Sequence, residues 1–256
     1  MTSLPLRLPE CTWTEARERL QSASVAILPV GAQEAHGPHL PTSTDVIIAE
    51  EMATRGAAEL RRRGVEAVVL AALDYVVTYA GAPFPGTIGI TPPTLQALVV
   101  DIGRSLERQG VRLLLMASAH LEQIHLDTLR HAALALARET ALRAAVLDIR
   151  EPQWAARLSE EFRRGARHAG SYETSLVWAV RPDLVRMDVA RGLQPVWVDL
   201  PAALRAGARS FAEAGSPMAY FGDPARSSRE EGEALYAALA TIVADAVEAL
   251  IGPDVA

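Results

Sequence analysis

Apolar positions along the chain fall into short continuous runs separated by longer segments of helical period. Residues 24–30, 65–73, 111–116 and 144–149 are runs of Val, Leu, Ile and Ala with the length of buried strands. Between them, residues 45–63, 92–109 and 123–140 read as helices. Thr12 and Glu15 have capping-box spacing and open a helix over 12–20. Gly64 and Gly110 stop two of the later helices. Strands alternating with helices of this length predict an α/β fold whose parallel sheet is covered on both faces. Past residue 150 the pattern is less regular. Trp154 lies in a loop or at the start of a helix ending near Arg167, and an apolar helix runs through Val180. Residues 188–226 read mostly as loop, and a long amphipathic helix over 228–250 starts at Ser228 with acidic residues in its first turn.

The candidate chemistry sits where these strands end. Glu34, His36 and Asp45 occupy a loop rich in Gly and Pro after the first strand, and His120 and Glu122 follow the third. In an open α/β sheet, ligands bind outside the carboxyl ends of the strands, so both segments fall on one rim. Glu34 and His36 are two positions apart, as are His120 and Glu122, and in extended chain such residues point the same way. Carboxylates and imidazoles without thiolate suit zinc, manganese or iron. Five ligands exceed what one tetrahedral zinc takes, which favours two ions with Asp45 between them. Asp45 has a second reading, as the cap of the helix it begins. Two ions support hydrolysis of an amide or related C–N bond. The chain has no dinucleotide fingerprint, no Walker-type phosphate loop and no Gly-x-Ser-x-Gly elbow.

Composition narrows the partners. The 256 residues suffice for a full core, and half are hydrophobic. A net charge of −6 argues against nucleic-acid and anionic-membrane surfaces. One cysteine, Cys11, excludes a disulfide framework within the chain. Apolar runs short of the roughly 20 residues that span a bilayer, and no signal-peptide pattern, lead to the expectation of a cytoplasmic protein acting on a small molecule.

The stretch from Leu28 to Asp45 resembles the signature of the creatininase (creatinine amidohydrolase) family. Phe84-Pro85-Gly86-Thr87, the His120 segment, His168 to Ser175 and Gly222-Asp223-Pro224 match the family pattern in the same order. The resemblance implies a three-layer α/β/α single domain over residues 1–256 with a mostly parallel central sheet. It also implies two divalent ions per chain, zinc and/or manganese with iron an option, and a homo-oligomer, commonly a hexamer. Carried over by position, Glu34, Asp45 and His120 hold one ion. His36, Asp45 and Glu122 hold the second, with Asp45 bridging and a metal-bridging hydroxide as nucleophile. His168 corresponds to the histidine that passes a proton to the leaving nitrogen. Glu173 either ligates a metal or orients His168, and Trp154 matches a tryptophan that covers the substrate. The chain departs from the pattern in Ser118-Ala119-His120-Leu121-Glu122-Gln123, where an aromatic is expected at Leu121. It departs again at Phe162-Arg163-Arg164, where creatinine-hydrolysing members have a second tryptophan. The expected activity is hydrolysis of a cyclic amide or other non-peptide C–N bond, the substrate differing from creatinine. A formamide deformylase, a peptidase and a catalytically silent binding or assembly homologue are the alternatives. Arg163 or Arg164 either meets an acidic substrate or faces solvent. His39 is read as a loop-fixing residue, His125 and His131 as helix-face residues, and Trp178 and Trp197 as packing residues.

Overall fold

The computed structural model describes residues 6–252. Helix α1 (Trp13–Ser22) opens with the Thr12–Glu15 capping box and leads into β1 (Val25–Val30). Then come α2 (Thr44–Arg62), β2 (Ala67–Val69), α3 (Pro92–Arg108), β3 (Leu113–Ser118), α4 (Gln123–Glu139) and β4 (Arg143–Leu147). The second half adds the short helices α5 (Pro152–Ala155) and α6 (Glu160–Arg163), α7 (Ser171–Val180), α8 (Met187–Ala190), α9 (Leu200–Arg205) and the long α10 (Arg229–Ile251).

The four strands form one all-parallel sheet in the order β2-β1-β3-β4. Alternation within β1 and β3 assigns their side chains to two cores. Val25, Ile27, Leu113, Leu115 and Ala117 pack with α2, α7 and α10. Ala26, Leu28, Leu114 and Met116 pack on the other face with α3 and α4. The result is the three-layer arrangement, and it is why every position of β1 and β3 is buried.

Two expectations change. The run 65–73 forms ladder only over Ala67–Val69. Beyond it the chain stays beside β1 through single bonds, from the Leu70 amide to the Ile27 carbonyl and from the Leu73 amide to the Pro29 carbonyl. It bends away because it supplies the loop over the strand ends. The second change concerns α10. It is long and apolar enough, by length and composition, to span a membrane, contrary to the expectation that no such segment exists. In this fold it is a core helix: Leu235, Leu239, Ile242, Val243 and Val247 are buried, and Gly56 of α2 lets Val243 approach its backbone.

Candidate metal centre

The site begins with backbone. β1 ends at Val30, and a Cβ on Gly31 would lie 2.4 Å from the Val46 amide nitrogen. Only glycine lets the strand end pass so close under the first turn of α2. That contact sets Asp45, in the first turn of α2, at the mouth of the sheet. Asp45 does not cap its helix: the N-cap residue is Ser43, and the Asp45 carboxylate turns toward two imidazoles. Its Oδ1 lies 3.2 Å from His36 Nε2 and its Oδ2 lies 3.1 Å from His120 Nδ1. Asp45 thus spans the two histidines, one oxygen to each.

Around that carboxylate the donors gather in overlapping groups. Glu34, His120 and Glu122 form one, His36, Asp45 and Glu173 a second, and Glu34, His36 and His168 a third. Glu34 Oε2 is 3.6 Å from His120 Nδ1 and 3.7 Å from His168 Nδ1. Glu173 Oε2 is 3.5 Å from His36 Nε2. Glu122 lies 3.6 Å from His120 Nε2. The structure therefore sets Glu122 beside His120, whereas the residue-by-residue carry-over pairs it with His36. Glu173 takes the place beside His36. The reason is topological: Glu122 leaves β3 on the same two-residue step as His120, while Glu173 enters on the first turn of α7 from the opposite layer.

Several neighbours, silent in the sequence, hold these groups. The Thr78 hydroxyl donates a short hydrogen bond to Glu34 Oε1. The Tyr79 amide donates to Glu122 Oε2 at 2.8 Å, and the Ala169 amide to Glu173 Oε2 at 2.6 Å. Ala169 adopts a left-handed φ of 51°, a strained conformation for alanine that aims its amide at Glu173. His125 is buried, edge-on to His120, and its Nε2 lies 3.1 Å from the Ser118 hydroxyl, which itself donates to the His120 carbonyl. His125 is therefore a support of the site and not a helix-face residue. His39 meets the loop-fixing expectation through a 2.9 Å contact to Thr174 Oγ1.

Electrostatics at the centre are those of a site built for cations. Burial pushes Glu34 upward, and it raises Glu173 to about 8. Burial also opposes charge on His36, but Asp45, Glu173 and Glu34 outweigh it and lift that imidazole to about 10. His120 rises likewise against burial, through Glu34, Asp45 and Glu122. Asp45, though buried, is drawn well down by His36 and His120. His168 goes the other way: burial and the nearby His36 hold it neutral.

The fit to metal is decided by the histidine nitrogens. His36 Nδ1–H donates to the Glu34 backbone carbonyl at 3.0 Å, which makes Nε2 the nitrogen that an ion would take. That buried Nε2 meets only carboxylates, Asp45 at 3.2 Å and Glu173 at 3.5 Å, and Nε2 of His120 meets Glu122 at 3.6 Å, none of them in hydrogen-bond geometry. Without an ion, a proton on the His36 Nε2 answers the carboxylates of Asp45 and Glu173; a divalent cation among the same carboxylates would replace the proton and take the lone pair. The donor set suits a divalent ion of the zinc or manganese type.

A cavity of about 680 Å³ opens onto these groups. Its apolar wall includes Leu121, Leu200, Leu204 and Phe211, and Arg150, Arg167, Arg205 and Arg209 also line it. His168 stacks on Phe211 with ring centres 4.0 Å apart. Trp154 is not among the lining residues. It sits in α5, half-buried against the core of the α2 face and beside Arg157. Arg163 and Arg164 are exposed and off the cavity, Arg164 over the Trp197 ring.

Comparison with known proteins gives the same address for nearly the whole chain. The Creatininase family, described as creatinine amidohydrolase, matches residues 9–247. A creatinine amidohydrolase of Pseudomonas putida is 32% identical over 200 residues, covering 70% of this chain and 73% of its own. A mycofactocin precursor peptide peptidase of Mycolicibacterium smegmatis is 29% identical over 248 residues, 94% of this chain and 91% of its own. Among solved structures, a manganese creatininase superposes with a TM-score of 0.72 at 26% identity, covering 97% of this chain and 99% of that one.

Proposed function

The chain belongs to the creatininase family, and from that premise we propose that it is a hydrolase of amide-type C–N bonds that uses two divalent ions held about Asp45. The observation that carries the reading is Asp45, with one oxygen toward His36 Nε2 and the other toward His120 Nδ1, in the midst of the Glu34, Glu122 and Glu173 carboxylates. Glu34, His120 and Glu122 would hold one zinc or manganese ion, and His36 and Glu173 the other, with Asp45 common to both. When bound, such ions supply water activation near neutral pH and polarisation of the substrate carbonyl.

The remaining chemistry belongs to the chain's own residues. His168 Nε2–H donates to the Ala35 carbonyl at 2.9 Å, so only Nδ1 is free to accept a proton. Held neutral by burial and His36, it takes a proton from the attacking water and delivers it to the leaving nitrogen. Its stack on Phe211 keeps the ring plane fixed while it does so. Glu122, held by the Tyr79 amide, lies at the cavity edge of the cluster, fixed in place to serve as a ligand. The apolar wall of Leu121, Leu200 and Leu204 excludes bulk water from the reacting bond.

The substrate differs from creatinine, since Leu121 and the Phe162-Arg163-Arg164 stretch stand where aromatic contacts are expected. A cyclic amide is the first choice. Trimming of a peptide is the second reading, favoured by the peptidase relative's coverage of 94% of this chain. Homohexameric assembly belongs to the same proposal and rests on family resemblance. The test is a panel of lactams, cyclic ureas, formamides and short peptides assayed with chelated and reconstituted protein. Activity lost on chelation and restored by zinc or manganese supports the reading. Activity that is indifferent to chelation, or absent across the panel at full metal content, overturns it.

A further inference from the structure

We propose that the cavity recognises a carboxylate on its substrate, through Arg167. The inference rests on the hydrolase reading for the position of the scissile bond, but the anion site stands on its own geometry. Of the arginines that line the cavity, Arg150 is already engaged by Asp148, which it shares with Arg130, with two of its guanidinium nitrogens at 2.8 Å from that carboxylate and a third on the Leu121 carbonyl. Arg209 pairs loosely with Glu213 in solvent. Arg167 is different. Its Nε donates to the Phe162 carbonyl at 2.8 Å and its guanidinium lies over the Phe162 ring at 4.7 Å. These two contacts fix the plane of the fork. Its terminal nitrogens carry no hydrogen bond to any described residue, and no described carboxylate comes within ion-pair distance. Asp199 and Asp148 act on it only from farther away.

A half-buried arginine, oriented by its own backbone and ring contacts and left without an anion, is a bidentate site for a carboxylate. Its place in the cavity defines the ligand. The acidic cluster of Glu34, Asp45, Glu122 and Glu173 lines one part, the Leu121, Leu200 and Leu204 wall another, and Arg167 a third. A molecule with an amide, a short apolar body and a free carboxylate complements all three. N-acyl amino acids and the C-terminal residue of a peptide share that chemistry. Arg205, exposed on α9 at the cavity and without a described ion-pair partner, adds positive field at the entrance.

The test is calorimetric titration of the metal-reconstituted protein with N-acetylleucine and N-acetylleucinamide, and with a tripeptide ending in leucine as acid and as amide. The acid of at least one pair should bind about tenfold to a hundredfold more tightly than its amide. The pair showing the larger ratio identifies the source. Arg167→Gln should abolish that ratio while leaving the amides unchanged. Arg167→Lys should restore part of it and show that the fold survives. Arg163→Gln, an exposed position off the cavity, should behave as wild type. Equal binding of acid and amide by the wild type, or an Arg167→Gln ratio equal to wild type because the carboxylate sits on the ions, overturns the proposal. Loss of metal from the reconstituted protein would instead strike at the hydrolase reading, and the effect of Arg167→Gln on binding would still be read.

Discussion

At the residue scale, the ligand nitrogens set the chemistry. His36, lifted to about 10 without metal, carries a proton at pH 7 that an ion must displace. Metal affinity should therefore rise with pH up to that value, and binding should release at least one proton per chain. Titration in buffers of different ionisation enthalpy measures it, and zero proton release would refute the assignment of Nε2. Thr78 touches no predicted ligand except Glu34, so Thr78→Val should lower metal affinity or activity by about 10–100-fold through loss of orientation alone. His39 offers a stability test. Burial and the nearby His36 lower it from 6.5 to about 4. The unfolded chain binds the proton first, so the contribution of His39 to stability is full above about pH 6.5 and is lost as the pH falls toward 4. His39→Gln should flatten the acid limb of a melting-temperature profile over that window. Glu34, His36, Asp45, His120 and Glu122 were legible because they follow strand ends in a rim-forming pattern. Thr78 and His125 were not, because a lone threonine in a loop and a histidine on a helix gain their roles only from tertiary neighbours.

At the element scale, close backbone approach does the positioning. Gly31 lets β1 pass beneath α2, so Gly31→Ala must push Asp45 away from the imidazoles. A mutant that folds but loses metal would confirm that role. Gly232 of α10 tells a separate story: a Cβ there would lie 2.0 Å from the Ser175 carbonyl. Gly232→Ala should cost about 1–3 kcal/mol of stability, and denaturant unfolding should show it. The alternating strands and helices were legible from hydrophobic runs, and α1, β1, α3 and β3 fall close to where their patterns predict. β2 was not, since an apolar run continues past the point where its ladder stops: Val76 and Val77 are buried in loop, not strand. The segment from residue 150 to 226 was least legible. Its short helices are shaped by packing, as in α6, where buried Glu161 accepts from the Tyr172 and Asp223 amides.

At the scale of the whole molecule, the site joins both halves of the sequence. Glu34 and Asp45 come from the passage between β1 and the first turn of α2 and His120 from that between β3 and α4, while His168 and Glu173 arrive from α7 and the turn before it. Buried carboxylates converge there, so metal should stabilise the fold as a unit. With ions at about 100 times their dissociation constant, the gain is about 2.7 kcal/mol per site. For a chain of this size that corresponds to a melting shift of roughly 5–10 °C. Scanning calorimetry of chelated and reconstituted protein measures it. The architecture was legible as a class from its period alone. The cavity was not: its arginines come from 150, 167, 205 and 209, and only the fold brings them together. The central claim is that Asp45 serves two ions at once, and elemental analysis of reconstituted, desalted protein tests it most directly. Wild type should hold two equivalents of zinc or manganese per chain, and Asp45→Asn fewer than one, with the fold intact by circular dichroism. A wild type saturating at one equivalent, or an Asp45→Asn variant retaining two, would contradict it.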